Sequence, residues 1–289
     1  MRTLTKQQTG FTLVEMIMVI VITGIIGGMV AMFLKAPIQQ YMDVARRAEL
    51  TDIADTAVRR MARDVRTAVP NSVRVPNQTG CVATSTTPCV VEFLPTRDGG
   101  RYRAGLDAAG SGDVLNFGGT DNAFDMINGV VPVSVEENDY IVIGSTQSDG
   151  APPYDTNGVL RKVTNVTGAK ITFELPVFPP WAELASQRFS VVDGAQQAVT
   201  YACEGVNTVD GNGTGKLVRH WHYWNVVDTV HATYSSDGTS AILADKVSAC
   251  EITYEVPNQR FGLLAVRLTL TSGGESVSLY NEIHVNNAP

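Results

Sequence analysis

The 289-residue sequence predicts an α+β chain: one long N-terminal helix followed by a large antiparallel β-rich head, built from two sheets. Two patterns predict it. An apolar run over 11–34 passes into a stretch with helical periodicity that closes at Pro70. From residue 75 onward, short β-branched and aromatic runs alternate with Gly, Asn, Asp and Pro. Composition agrees: 44% hydrophobic and 18% charged residues with 26 Gly and 13 Pro fit neither a disordered chain, nor collagen, nor a coiled coil. A formal net charge of −7 speaks against a protein that coats nucleic acid, and no nucleic-acid partner is expected.

The helix begins with the chain's most informative segment. Residues 1–10 are polar and carry two cations, Arg2 and Lys6; the following run, FTLVEMIMVIVITGIIGGMVAMFL, has one ionisable side chain, Glu15. As a helix this run spans about 36 Å, enough for a hydrocarbon core of about 30 Å. It is too long for a secretory signal, and no small-residue cleavage site follows it before Lys35. The cationic leader stays cytoplasmic by the positive-inside rule, which sends the bulk of the chain outward. A carboxylate inside such a helix costs on the order of 2.5–3.5 kcal/mol to insert, so Glu15 needs a partner. Gly24 and Gly28 have the spacing that permits close helix contact. Equally, the glycines weaken the helix locally, by about 1 kcal/mol each.

The string Gly10-Phe11-Thr12-Leu13-Val14-Glu15 resembles the processing site of type IV prepilins. The resemblance implies that a prepilin peptidase cuts after Gly10 and that the new terminal Phe11 is N-methylated. It also implies that Glu15 pairs with the terminal amine of a neighbouring subunit during assembly. Elementary electrostatics supports that role, since cleavage creates a cation at Phe11 about one helical turn from Glu15. Cleavage removes Arg2 and Lys6, so the 22 basic residues become 20 against 29 acidic, a net of −9. In the resembled family the subunit at the extreme tip tends to lack this Glu, so its presence implies a place just beneath the tip.

Pro37 is expected to kink the helix rather than end it, because periodicity resumes at once. Leu50, Ala54, Ala57, Met61, Val65 and Ala68 recur at steps of three and four and form one apolar face. The opposite surface holds charges, among them Asp43, Arg46, Asp55, Arg59 and Asp64, and reads as solvated or, alternatively, as forming ion pairs between subunits of an assembly. The resulting organisation is a leader over 1–10, a membrane and assembly helix over 11–34, an amphipathic spine over 35–70 and a β-rich head over 71–289. The spine's end, RRMARDVRTAVPNSVRV, resembles both large minor pilins and the J-type pseudopilins of type II secretion.

Candidate strands cover 89–94, 113–117, 131–135, 140–144, 159–164, 169–175, 188–192, 198–203, 216–224, 250–256, 262–270 and 276–285. Turn clusters over 98–100, 148–150 and 272–274 separate them. Hairpin-length connections imply antiparallel pairing. The C-terminal segment, with VTYACEG and KLVRHW before it, resembles the minor pilins of MSHA-type pili.

Four cysteines allow three pairings, and an exported head places them in an oxidising compartment. Cys81 and Cys89 bracket a short polar loop containing Pro88, which suits a local bridge. Cys203 and Cys250 stand at strand ends, where a second bridge would staple neighbouring strands.

Other motifs dissolve on inspection. The run from Asp210 to Gly215 opens like a calcium loop, but its twelfth position is Trp221 where a bidentate Glu is required, so it reads as a turn. Gly215-Lys216-Leu217 lacks the spacing and hydroxyl of a phosphate loop. His220 and His222 would share one face of a strand, with no third metal ligand in sight. No metal, cofactor or catalytic constellation is assigned, and the chain reads as non-enzymatic.

The leading expectation is a structural minor pilin of the bacterial inner membrane and then of the pilus, acting in initiation, priming or tip assembly. Its implied partners are the prepilin peptidase, other minor pilins, the major pilin and the assembly platform. The alternatives are a J-type pseudopilin and an adhesive or ligand-binding tip module using the aromatic strand over 216–224.

Overall fold

The computed structural model describes residues 10–76, 79–127, 134–145, 153–154, 158–223, 238–258 and 260–288. All of the 1–10 leader except Gly10, most of the expected strand over 131–135, the turn over 148–150 and Trp224 lie outside them. The chain divides into two units, Met1–Glu49 and Leu50–Pro289.

The first unit is helical. Helix α1 spans Leu13–Arg66, so its opening turns make up this unit and its last turns belong to the second. It runs through Pro37 without interruption. Proline there leaves the carbonyl of Phe33 without its usual amide donor.

In the second unit α1 buries Leu50, Ala54, Ala57, Val58, Met61, Ala62 and Val65. It stops at Arg66, four residues short of Pro70, and local bonds explain why. Thr67 turns back through both its N–H (3.1 Å) and its hydroxyl (2.7 Å) onto the Asp64 carbonyl, and Ala68 N–H reaches Val65 O at 3.1 Å. Such shorter-range bonds close a helix end. Val69 then donates to Leu94 O, which commits the chain to an extended path before the proline.

Fifteen strands follow among the described residues. They are β1 (Gly80–Val82), β2 (Cys89–Phe93), β3 (Thr96–Arg101), β4 (Ala123–Asp125), β5 (Tyr140–Val142), β6 (Leu160–Thr167), β7 (Lys170–Phe173) and β8 (Arg188–Val192), then β9 (Ala198–Glu204), β10 (Thr208–Val209), β11 (Asn212–Gly213), β12 (Gly215–Tyr223), β13 (Thr239–Asn258), β14 (Phe261–Ser272) and β15 (Glu275–Asn286). One sheet has the order β15-β14-β13-β12-β9-β2, with β1 also on β13. The other has the order β3-β8-β5-β6-β7-β4, and β10 pairs with β11 separately. All pairings are antiparallel, so the α+β architecture with two principal sheets is as the sequence predicts.

β13 is long enough to serve two neighbours: its first half pairs with β12 and Glu251–Thr253 with β1. The β14–β15 hairpin turns on Gly273 and Gly274, both at positive φ (59° and 84°), the two-residue turn whose twist suits adjacent strands. Asp210 and Gly211, also at positive φ, turn β10 into β11, so this run is a hairpin turn and not a calcium loop.

Two expectations fail for identifiable reasons. Asp98-Gly99-Gly100 is not a turn but the middle of β3. Glycine is needed there for close approach: a Cβ at Gly100 would lie 2.8 Å from Met126 Cε and from the Phe189 ring. Residues 113–117 form no ladder; Asp113 N–H bonds the Asp125 carboxylate and Leu115 N–H bonds Arg103 O.

Each sheet has its own core. The buried face of α1 packs with Val91, Phe93, Tyr201, Ile252, Leu264 and Val266 of the first sheet. The second gathers Tyr102, Phe124, Phe173, Phe178 and Phe189, with Phe124 meeting Phe189 edge-on at 5.5 Å.

Candidate assembly site

The apolar N-terminal helix starts from its own capping device. Gly10 and Phe11 are exposed and precede the helix, and Thr12 is its N-cap. Thr12 donates to Glu15 Oε2 through both its backbone N–H and its hydroxyl, each at 2.9 Å, and Glu15 N–H returns a bond to Thr12 Oγ1 at 3.3 Å. This reciprocal arrangement is a capping box, and it places a carboxylate at the positive end of the helix. The Thr-x-x-Glu spacing carried that signal in the sequence. Pairing Glu15 with the Phe11 amine, of its own chain or the next, leaves this capping role out. The box bonds the carboxylate to the N–H of Thr12, the residue that follows Phe11 in the chain.

Around and beyond Glu15 the helix surface is hydrocarbon. Leu13, Ile17, Ile20, Met29, Met32 and Phe33 are each at least half exposed, and the helix is long and apolar enough to cross a membrane. Thr23 satisfies its hydroxyl on its own helix, donating to Val19 O at 2.6 Å and approaching Ile20 O at 3.1 Å, so it adds little polar cost there. A Cβ at Gly24, Gly27 or Gly28 would meet nothing within 4 Å, which leaves three bare backbone positions open to a neighbouring helix.

The charges that follow serve two purposes. Arg46–Asp43 (3.4 Å) and Arg59–Asp55 (2.6 Å) are surface pairs along the helix. Asp64 is different. It accepts from Tyr201 OH and from Arg219 Nε, each at 2.8 Å, tying the helix to β9 and β12. The Arg219 guanidinium also lies 4.8 Å over the Trp221 ring. Burial, and then the Asp64 charge, push the Tyr201 phenol well above the ordinary tyrosine range. Sequence periodicity put Asp64 on a solvated face. Only the sheet positions of Tyr201 and Arg219 reveal its role.

The structure pairs Cys81 with Cys89 (Cα–Cα 5.3 Å) and Cys203 with Cys250 (6.3 Å). The second bridge joins β9 to β13, which flank β12, while Cys89 and Cys203 face each other in the β2–β9 register. Both bridges therefore gather around the core beneath α1.

His220 and His222 do not share a face. His222 adopts a positive φ of 65° within an irregularity of the β9–β12 register and is exposed. His220 is buried and meets Glu204 at 2.9 Å. Trp221 packs against the first core. Among the described residues no group of three or more His, Cys, Asp or Glu could hold a metal ion.

Residues 5–31 match a family model described as the prokaryotic N-terminal methylation motif. No curated protein and no solved structure matches the chain. The matched motif together with the apolar helix makes the chain type IV pilin-like at its N-terminus.

Proposed function

We propose that this chain is a minor pilin, a non-enzymatic structural subunit that initiates, primes or helps to build the tip of an MSHA-like type IV pilus. The observation that carries the proposal is the processing motif Gly10–Glu15 opening an apolar helix whose C-terminal turns are built into a large β-rich unit. In this reading prepilin peptidase cuts the exposed Gly10–Phe11 bond. The helix holds the chain in the inner membrane with the head outside, and assembly then draws the helix into the filament.

Glu15 takes two states in this scheme. Before cleavage it caps its own helix through Thr12. After cleavage the Phe11 amine of its own or an adjacent subunit provides a cation. In a low-dielectric bundle such a pair is worth several kcal/mol, of which desolvation offsets much. The large β-rich unit favours a sparse subunit over a repeating shaft subunit. The J-type pseudopilin reading keeps support from the stretch around Arg60–Arg74, and the genes beside this one separate the two.

The test is Glu15→Gln. Membrane insertion and leader cleavage should survive. Co-purification with partner minor pilins and the pilus count should fall. Normal piliation and full recruitment in the variant would remove the assembly role of Glu15.

A further inference from the structure

A recess opens against strands β3, β5 and β8 of the second sheet, with Val69, Val142 and Phe189 of that sheet's core in its lining. Its volume is about 390 Å³, within the range of small-ligand sites. On β3 and β8, Arg101 stands directly opposite Arg188, and the next pair on the same face is Gly99 opposite Ser190. Val142 of β5 is in register with Ser190 and continues that face. The floor is therefore made of small or apolar groups, with two guanidinium groups at one end. A side chain at Gly99 would crowd it: a Cβ there would lie 3.0 Å from Phe189 O. Leu184 and Asn286 stand on the walls. Asn286 Oδ1 accepts from Ala288 N–H at 3.1 Å, which leaves its amide NH₂ as a donor.

Like charges placed directly opposite across a ladder repel. Among the described residues neither Arg101 nor Arg188 has a carboxylate within ion-pair distance, in contrast to Arg97, which is shared by Glu136, Asp139 and Asp193. Two exposed, unneutralised guanidinium groups at the end of a small-floored recess are suited to one planar anion with an apolar body behind it.

We propose that this recess binds a small carboxylate: the anion between Arg101 and Arg188, and a compact apolar body over Gly99, Ser190 and Val142 toward Leu184. The same chemistry is offered by a free organic acid and by the C-terminal residue of a polypeptide.

The test uses the full chain in dodecyl maltoside micelles and isothermal titration with 3-phenylpropionate, with the peptide Gly-Gly-Leu-Phe as free acid, and with both compounds as amides. The acids should bind saturably and the amides should not. Arg101→Gln and Arg188→Gln should each weaken acid binding about tenfold. Ser190→Leu, which fills the floor and leaves both arginines, should abolish it. A peptide acid at least tenfold tighter than phenylpropionate identifies a polypeptide terminus as the source, and equal affinities identify a free acid. No saturable binding of either acid up to about 10 mM, equal binding of acids and amides, or undiminished binding in the double arginine variant would overturn the proposal.

Discussion

Replacing Asp64 by alanine removes the one acceptor that Tyr201 OH and Arg219 Nε share, each at 2.8 Å. The Arg219 side chain is only 9% exposed, so its charge would be left without that partner beside the Trp221 ring. Breaking a fully buried pair costs about 3–5 kcal/mol. Asp64 is 20% exposed, so water can partly replace it and the cost falls somewhat below that range. The expected loss is about 2–3 kcal/mol. Tyr201→Phe keeps the ion pair and removes one bond to a charged acceptor, for a loss of about 1.5 kcal/mol. Because both changes act on one network, the double variant should lose less than the two losses added together. Urea unfolding of the full chain in micelles, followed by tryptophan fluorescence, reads all three. An Asp64→Ala variant within about 0.5 kcal/mol of the parent would show that the tie is solvated and that α1 is held by its apolar face alone.

Three further outcomes follow from the same structure. Removing the Cys203–Cys250 bridge as a double serine variant opens a 47-residue separation and should destabilise by about 4 kcal/mol on the chain-entropy model, against about 2.5 kcal/mol for the 8-residue Cys81–Cys89 loop; unfolding midpoints that rank the other way would contradict it. Stability should fall as pH rises past about 10, because the unfolded chain releases the Tyr201 phenolic proton there while the folded chain, whose phenol is raised by burial, retains it; Lys170, raised by its bond to Asp113, acts in the same direction, and a flat stability profile from about pH 9 to 11.5 would refute this. Gly100→Ala should cost about 1–3 kcal/mol through its clash with Met126 and Phe189, whereas Gly105→Ala, which meets nothing within 4 Å, should be near neutral; equal midpoints would show that β3 shifts freely.

The long helix and the strand-rich remainder were legible because both rest on local periodicity. The apolar face over Leu50–Val65 declared itself at helical spacing, and the C-terminal strands at alternation, as the burial of β14 shows. What stayed hidden depended on residues far apart in the chain. Asp64 looks solvated until Tyr201 and Arg219, 137 and 155 residues away, are brought to it. Gly99 and Gly100 look like a turn until Phe189 is packed against them. The strand holding His220 and His222 alternates on paper, but the positive φ at His222 breaks the alternation. At the N-terminus the opposite happened. The Thr12–Glu15 capping box was local and visible, but a carboxylate in an apolar run drew attention to longer-range partners.

The central claim is that this chain is a processed pilin-like subunit, and its N-terminus decides it. Intact-mass and peptide mass spectrometry should be run on the chain recovered from cells that contain a prepilin peptidase, with Gly10→Leu alongside. The account predicts a parent chain beginning at Phe11 and heavier by one methyl group, and a variant that keeps its whole leader and still begins at Met1. A parent chain that still begins at Met1, or one that begins anywhere after Leu34, would contradict it.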